Sequence, residues 1–213
     1  MEIAILLYDR FTALDAVGPY EVLSRLPDAR VTFVAERPGP VCTDTRQLTL
    51  MAEAGLAETP SPELVLVPGG PGQSALMQDG PVHEWLREVH ETTKWTTSVC
   101  TGSLVLAAAG LLDGRRATSN WQAIEQLRAL GVDAVPERVV FDGKLATSAG
   151  VTAGIDMALG LAARIGGERL AQAIQLGIEY DPEPPFDAGS PQKAPVEIVE
   201  VVRAHSRFAE QSA

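Results

Sequence analysis

Apolar positions along this chain follow two rhythms. Residues 3–8, 31–36, 64–67 and 96–99 are short β-branched or apolar runs, whereas residues 15–25, 80–92 and 103–111 space their apolar positions as helices do. Such alternation predicts βαβ units around a mainly parallel sheet, an α/β fold. Residues 38–50 predict a hairpin-like excursion, and residues 139–146 a second hairpin turned by Asp142-Gly143. A buried, alanine-rich helix is predicted over 150–165. Residues 180–195 carry five prolines in sixteen positions, which excludes helix and predicts an ordered covering segment or linker. A last helix is predicted over 196–208. No repeat or interdomain linker breaks the pattern, and 213 residues suit one domain, 1–213, around one core.

Charge narrows the partners. Seventeen basic and 28 acidic residues give a net charge of −11 without any basic cluster, so nucleic acid is not an expected partner. The apolar stretches fall short of the ~18 residues that span a bilayer. The first of them also lacks the basic flank and cleavage site of a secretory signal. The expected setting is the cytoplasm, away from membranes. Two distant cysteines, Cys42 and Cys100, are not expected to pair in a reducing compartment.

Two of the predicted strands run directly into glycine-bearing turns, Pro68-Gly69-Gly70-Pro71-Gly72 and Cys100-Thr101-Gly102. Open α/β sheets place ligands at such strand ends. Cys100 is either a small buried hydrophobe or an activated thiol. Its strand-Cys-Thr-Gly-helix setting favours the second, because N–H groups at a helix start stabilise a thiolate and a developing negative charge. Cys42 has no helix after it and reads as filler. His83, His90 and His205 read as members of solvated helical faces, which weakens a Cys-His-Asp protease triad. Asp15 reads either as an ordinary helix N-cap or as a carboxyl able to trade a proton with a nearby thiol, kept protonated by a like charge. The glycines match neither dinucleotide nor Walker spacing, so no cofactor is expected. No histidine or cysteine pair has metal-ligand spacing, so no metal is expected either.

Taken together, Leu14-Asp15-Ala16-Val17-Gly18-Pro19, Val67-Pro68-Gly69-Gly70, Ser98-Val99-Cys100-Thr101-Gly102-Ser103 and Gly150-Val151-Thr152-Ala153-Gly154-Ile155-Asp156 resemble the DJ-1/PfpI superfamily over nearly the whole chain. The resemblance implies a flavodoxin-like three-layer sandwich with a nucleophile elbow. Residues 107–118 and 179–191 are most similar to the isocyanide hydratases of that superfamily, which implies hydration of an isocyanide to an N-substituted formamide through a cysteine thioimidate. On that resemblance Cys100 is the nucleophile, Asp15 the acid beside it and Thr101 a neighbouring hydroxyl and amide. Gly70 is an amide donor, and Val151 a backbone neighbour of the thiol. Asn120 stands in Ser119-Asn120-Trp121 where those hydratases commonly read Thr-His-Trp, so it enters the substrate-binding set with a different polarity.

The same superfamily implies two alternatives: a sensor using cysteine sulfinic acid, and a glyoxalase- or deglycase-like activity on dicarbonyls. It also includes regulators with an added helix-turn-helix module, for which the single helix after the domain leaves too little chain. A small-molecule substrate and a homodimer are the expected partners.

Overall fold

The computed structural model describes residues 1–206. In chain order its elements are β1 (Glu2–Leu6), α1 (Ala13–Leu23), β2 (Arg30–Ala35), β3 (Gly39–Cys42), β4 (Thr49–Ala52), β5 (Ala54–Gly55) and β6 (Leu64–Val67). There follow α2 (Pro81–Thr92), β7 (Trp95–Val99), α3 (Gly102–Ala108), β8 (Arg116–Ala117), α4 (Ile124–Ala129), β9 (Asp133–Ala134), β10 (Val139–Asp142), β11 (Leu145–Ser148), α5 (Ala153–Gly166), α6 (Glu168–Gly177) and α7 (Val196–Ala204).

Seven strands form one sheet in the order β10-β11-β7-β6-β1-β2-β5. Every neighbouring pair is parallel except the β10–β11 hairpin. Helices α1, α5 and α6 pack on one another, α2, α3 and α4 make a second group, and the sheet lies between them as the middle of three layers. Covering both faces explains why Leu64-Val65-Leu66-Val67 is apolar without alternation: all four side chains are buried. Strand β7 is also buried although it reads Thr96-Thr97-Ser98. Thr97 Oγ1 donates to the Val65 carbonyl at 2.9 Å, and Thr96 Oγ1 lies 2.8 Å from His90 Nδ1. Hydrogen bonds of this kind offset the cost of taking a hydroxyl out of water.

The two predicted hairpins are present as β3–β4 and β10–β11. In the second, Asp142 closes the strand and Gly143 takes the left-handed conformation at φ 60°. Residues 180–195 contain no helix or strand. The last helix ends at Ala204, and the predicted extension to Phe208 reaches outside the described residues. Helices α4 and α6 were not predicted. Each buries only two apolar side chains, Ile124 with Leu127 and Ala171 with Ile174, too thin a stripe to declare a helix.

Two expectations are corrected. The N-cap of α1 is Thr12, so Asp15 is not a cap but the third residue of the helix, fully buried. His83 does not face solvent: it is 1% exposed, with Nε2 2.9 Å from the Leu76 carbonyl, because α2 turns Val82, His83, Trp85, Leu86 and Val89 inward. Among the described residues no helix is long and apolar enough to cross a membrane.

Candidate active site

Cys100 sits between the last residue of β7 and the first turn of α3, with φ 56°. A non-glycine residue in the left-handed region costs about 1–2 kcal/mol, so the surroundings must hold it there. They do so through its backbone. The Cys100 N–H donates to the Ser148 carbonyl at 3.0 Å, and its own carbonyl accepts from Ser103 Oγ at 3.1 Å and Ser119 Oγ at 3.0 Å. Three segments of chain thus clamp one strained residue. The thiol-bearing residue is fully buried, and so are Asp15 and Thr101.

The Gly69-Gly70 turn after β6 draws these groups together. The Gly69 N–H donates to Asp15 Oδ2 at 3.0 Å, and the Gly69 carbonyl accepts from the Thr12 N–H at 2.8 Å. A Cβ at Gly69 would lie 2.5 Å from the Thr101 nitrogen and 2.8 Å from Cys100 Cβ. Only a residue without a side chain lets the Asp15 loop and the elbow approach this closely. Gly70, at φ 141°, plays the same part on the other side, where a Cβ would lie 2.5 Å from the Arg10 carbonyl. Its N–H, expected to serve the substrate, donates instead to Thr101 Oγ1 at 3.0 Å.

Tyr8, just past β1, is a further member of the site. Its hydroxyl donates to the Pro68 carbonyl at 2.8 Å. Burial above all, and then its acidic neighbours Asp15, Cys100 and Asp44, hold its phenol well above the usual value of 10.0, so it stays neutral. In the sequence Tyr8 is merely the end of an apolar run.

On the thiol's other flank, the bare face of Gly150 is the nearest part of the β11–α5 turn: a Cβ there would lie 3.0 Å from Cys100 Sγ and 2.6 Å from Asn120 Nδ2. Val151 follows in the same turn. Asn120 Oδ1 accepts from the Gln122 N–H at 3.0 Å, which turns the amide nitrogen towards Gly150 and the thiol. Ser119, Tyr8 and Gly150 were not among the predicted site residues. The first adjoins Asn120 in sequence, and the last opens a quoted motif, but nothing local discloses their reach to Cys100.

A cavity of about 190 Å³ opens beside this flank, bordered by Ser119, Trp121, Ile124, Gly150 and Pro191. A larger cleft of about 850 Å³ lies among Tyr8, Arg10, Cys42, Arg46 and Leu76, and neither Cys100 nor Asp15 borders it. His83 and His90 are bonded to Leu76 and Thr96, and His205 Nδ1 lies 2.9 Å from the Val201 carbonyl. Among the described residues no group of three or more histidines, cysteines or carboxylates could hold a metal ion. Cys42 and Cys100 form no disulfide. Cys100, Asp15 and Asn120 do not border the smaller cavity either; Gly150, which does, separates it from the thiol. A thiol, a carboxyl and a carboxamide thus lie together just behind that cavity's wall, an arrangement suited to covalent chemistry with proton transfer.

Comparison with known proteins places the chain among relatives. The DJ-1/PfpI family matches residues 1–164. An isonitrile hydratase of Pseudomonas putida is 44% identical over 203 residues, 95% of this chain and 89% of that protein. The HTH-type transcriptional regulator CdhR of Pseudomonas aeruginosa is 43% identical over 93 residues, covering 43% of this chain and 28% of the regulator. Among solved structures, a ThiJ/PfpI family protein from Pseudomonas syringae superposes with a TM-score of 0.93 at 36% identity, covering 96% of this chain and 85% of that one.

Proposed function

Because this chain belongs to the DJ-1/PfpI family, we propose that it is an isonitrile hydratase, converting an isocyanide and water into an N-substituted formamide. The observation that carries the reading is the placement of Gly69, whose N–H holds Asp15 while its bare face meets Cys100. A carboxyl and a thiol are thereby kept in one buried site. The 44% identity to a hydratase supports the same chemistry.

In the proposed reaction the Cys100 thiolate attacks the terminal carbon of the isocyanide, and Asp15 gives that carbon a proton, forming an S-linked thioimidate. Asn120 Nδ2 donates to the substrate nitrogen as electron density moves onto it. Asp15, now a carboxylate, takes a proton from water, whose oxygen adds to the thioimidate carbon. Asp15 passes that proton on to the nitrogen, collapse expels the Cys100 thiolate as the hydroxyl proton returns to Asp15, and the formamide leaves. Thr101 braces Gly70 behind the elbow, and the Gly150-Val151 backbone borders the open side of the thiol. No cofactor takes part in any of these steps.

The sulfinic-acid sensor is less well supported, since oxidation favours exposed thiolates and Cys100 is fully buried. Dicarbonyl chemistry assisted by histidine is also less well supported, because the bonds of His83, His90 and His205 lead to other groups. The proposal includes the cytoplasm as its setting, in keeping with two thiols outside any disulfide. It also includes a homodimer, with a second copy covering apolar side chains left exposed at Leu14, Met51 and Leu176.

The test is direct. Purified protein given cyclohexyl isocyanide should release N-cyclohexylformamide, read by mass spectrometry, and Cys100→Ala should release none above the uncatalysed rate. Equal rates for the two proteins would sink the proposal.

A further inference from the structure

Two cavities meet at Trp121. One is the 190 Å³ space beside Gly150 and Ser119; the other, of about 120 Å³, lies between the tail and α7, bordered by Ile198, Val199 and Val202. Trp121 borders both, as do Gly189, Ser190 and Pro191. Of these four the indole is by far the largest side chain. It is held in place by α7: the Arg203 guanidinium lies 5.5 Å from its ring centre, and the next residue, Gln122, donates from Nε2 to the Val202 carbonyl at 3.0 Å.

We infer that the 190 Å³ cavity receives the substituent of the isocyanide and that Trp121 is its end wall, setting the longest group the enzyme accepts. The inference rests on the hydratase reading for the substrate class, and on the cavities alone for the location and the limit.

Size and polarity both bear on the occupant. A cavity of about 150 Å³ holds a benzene ring, so 190 Å³ takes a six-membered ring, and a group that extends further runs against Trp121. Trp121, Ile124, Pro136 and Pro191 give it apolar walls. The two charged residues at its border are already committed: Glu137 to Arg116, and Arg138 to Asp156. No charge is left over to receive an ionic substituent. The substrate class is therefore an isocyanide on a compact, neutral hydrocarbon group.

Part of the wall lies beyond the family's common core. The family match ends at residue 164, whereas the border at 189–192 and the helix behind Trp121 come later in the chain. The elbow can thus be shared among relatives that differ in what they accept.

The experiment has two readouts. In the first, kcat/KM is measured for n-butyl, cyclohexyl, 2-naphthyl and carboxymethyl isocyanides with wild type, Trp121→Ala and Trp121→Phe. One methylene in an apolar pocket is worth roughly 10–200-fold, so wild type should favour cyclohexyl over naphthyl and over carboxymethyl by at least about tenfold. Trp121→Ala joins the two cavities and should raise the naphthyl-to-butyl ratio by at least about tenfold, while Trp121→Phe keeps the wild-type order. A ratio in Trp121→Ala within about threefold of wild type overturns the inference. In the second readout, binding of the matching N-substituted formamides to Cys100→Ala and to Cys100→Ala/Trp121→Ala is followed by calorimetry. Binding that tracks substituent size and shifts with Trp121, without turnover by wild type, overturns the hydratase reading and leaves the cavity assignment standing. Binding of equal strength for all sizes in both proteins overturns the assignment.

Discussion

At Asp15 a carboxyl group is fully buried, with one oxygen accepting from the Gly69 N–H 54 positions further along the chain. That distance is why sequence alone left it between an N-cap and a proton donor: the residue that decides the matter is in the turn after β6. Asparagine keeps an oxygen for Gly69 but cannot give or take the proton. Asp15→Asn should therefore lower kcat by about 10²–10⁴-fold with KM little changed and the thermal midpoint close to wild type. Cys100 was more legible, since a strand, a cysteine and a glycine-started helix are contiguous, and the left-handed φ follows from the sharpness of that turn. What was not legible is the clamp on its carbonyl. Ser119→Ala removes one of the two hydroxyls there. It should cost about 1 kcal/mol in urea unfolding and reduce turnover more than a surface serine would. The burial of His83 has a local sign, since Val82, Leu86 and Val89 lie on the same inward face of α2.

Elements were read best where burial is one-sided or complete. The four-residue run of β6 and the stripe of α2 declared themselves, because a doubly covered strand is apolar throughout and a surface helix is apolar at every third or fourth position. Short pieces such as β5, β8 and β9 bury too little to leave a signal. The motif glycines of α1 and α5 have an element-scale role of their own. Gly18 faces Ile155, and a Cβ at Gly154 would lie 3.0 Å from Val99 Cγ2 and 3.1 Å from Pro19 Cγ. Small residues here let two helices and the end of β7 share one contact. Gly154→Val should destabilise the protein by about 1–3 kcal/mol through overpacking. It should also slow catalysis, since the start of α5 carries the Gly150-Val151 turn. Paired denaturation and rate measurements on this variant test both effects; full activity with full stability would refute the packing argument.

For the molecule as a whole, the mainly parallel sheet followed from the alternation of strands and helices and the three layers from the family resemblance, whereas the strand order and the path of the tail had to be seen, because neither is carried by local periodicity. Acid sensitivity is also a property of the assembled layers. Burial first, and then Lys144, with Arg115 adding to it, lower the pKa of His90 below its usual 6.5, against a smaller opposing pull from Glu91. The unfolded chain therefore binds a proton at a higher pH than the native one. Stability should be steady above about pH 6.5 and fall as the pH drops below it, because protons then favour the unfolded state. Thermal midpoints between pH 7.5 and 5 should show this decline, and His90→Asn should flatten part of it. An unchanged slope in that variant would remove His90 as a cause.

The tail that borders Trp121 has a consequence for how such a protein diversifies. Its thiol, acid and glycine turn lie within the first 154 residues, whereas one border of the cavity is written at 189–192. On the proposed assignment, reaction and appetite are encoded in separable stretches, and a change of a few residues at 189–192 redirects the enzyme to a new compound without reopening the problem of making a cysteine reactive.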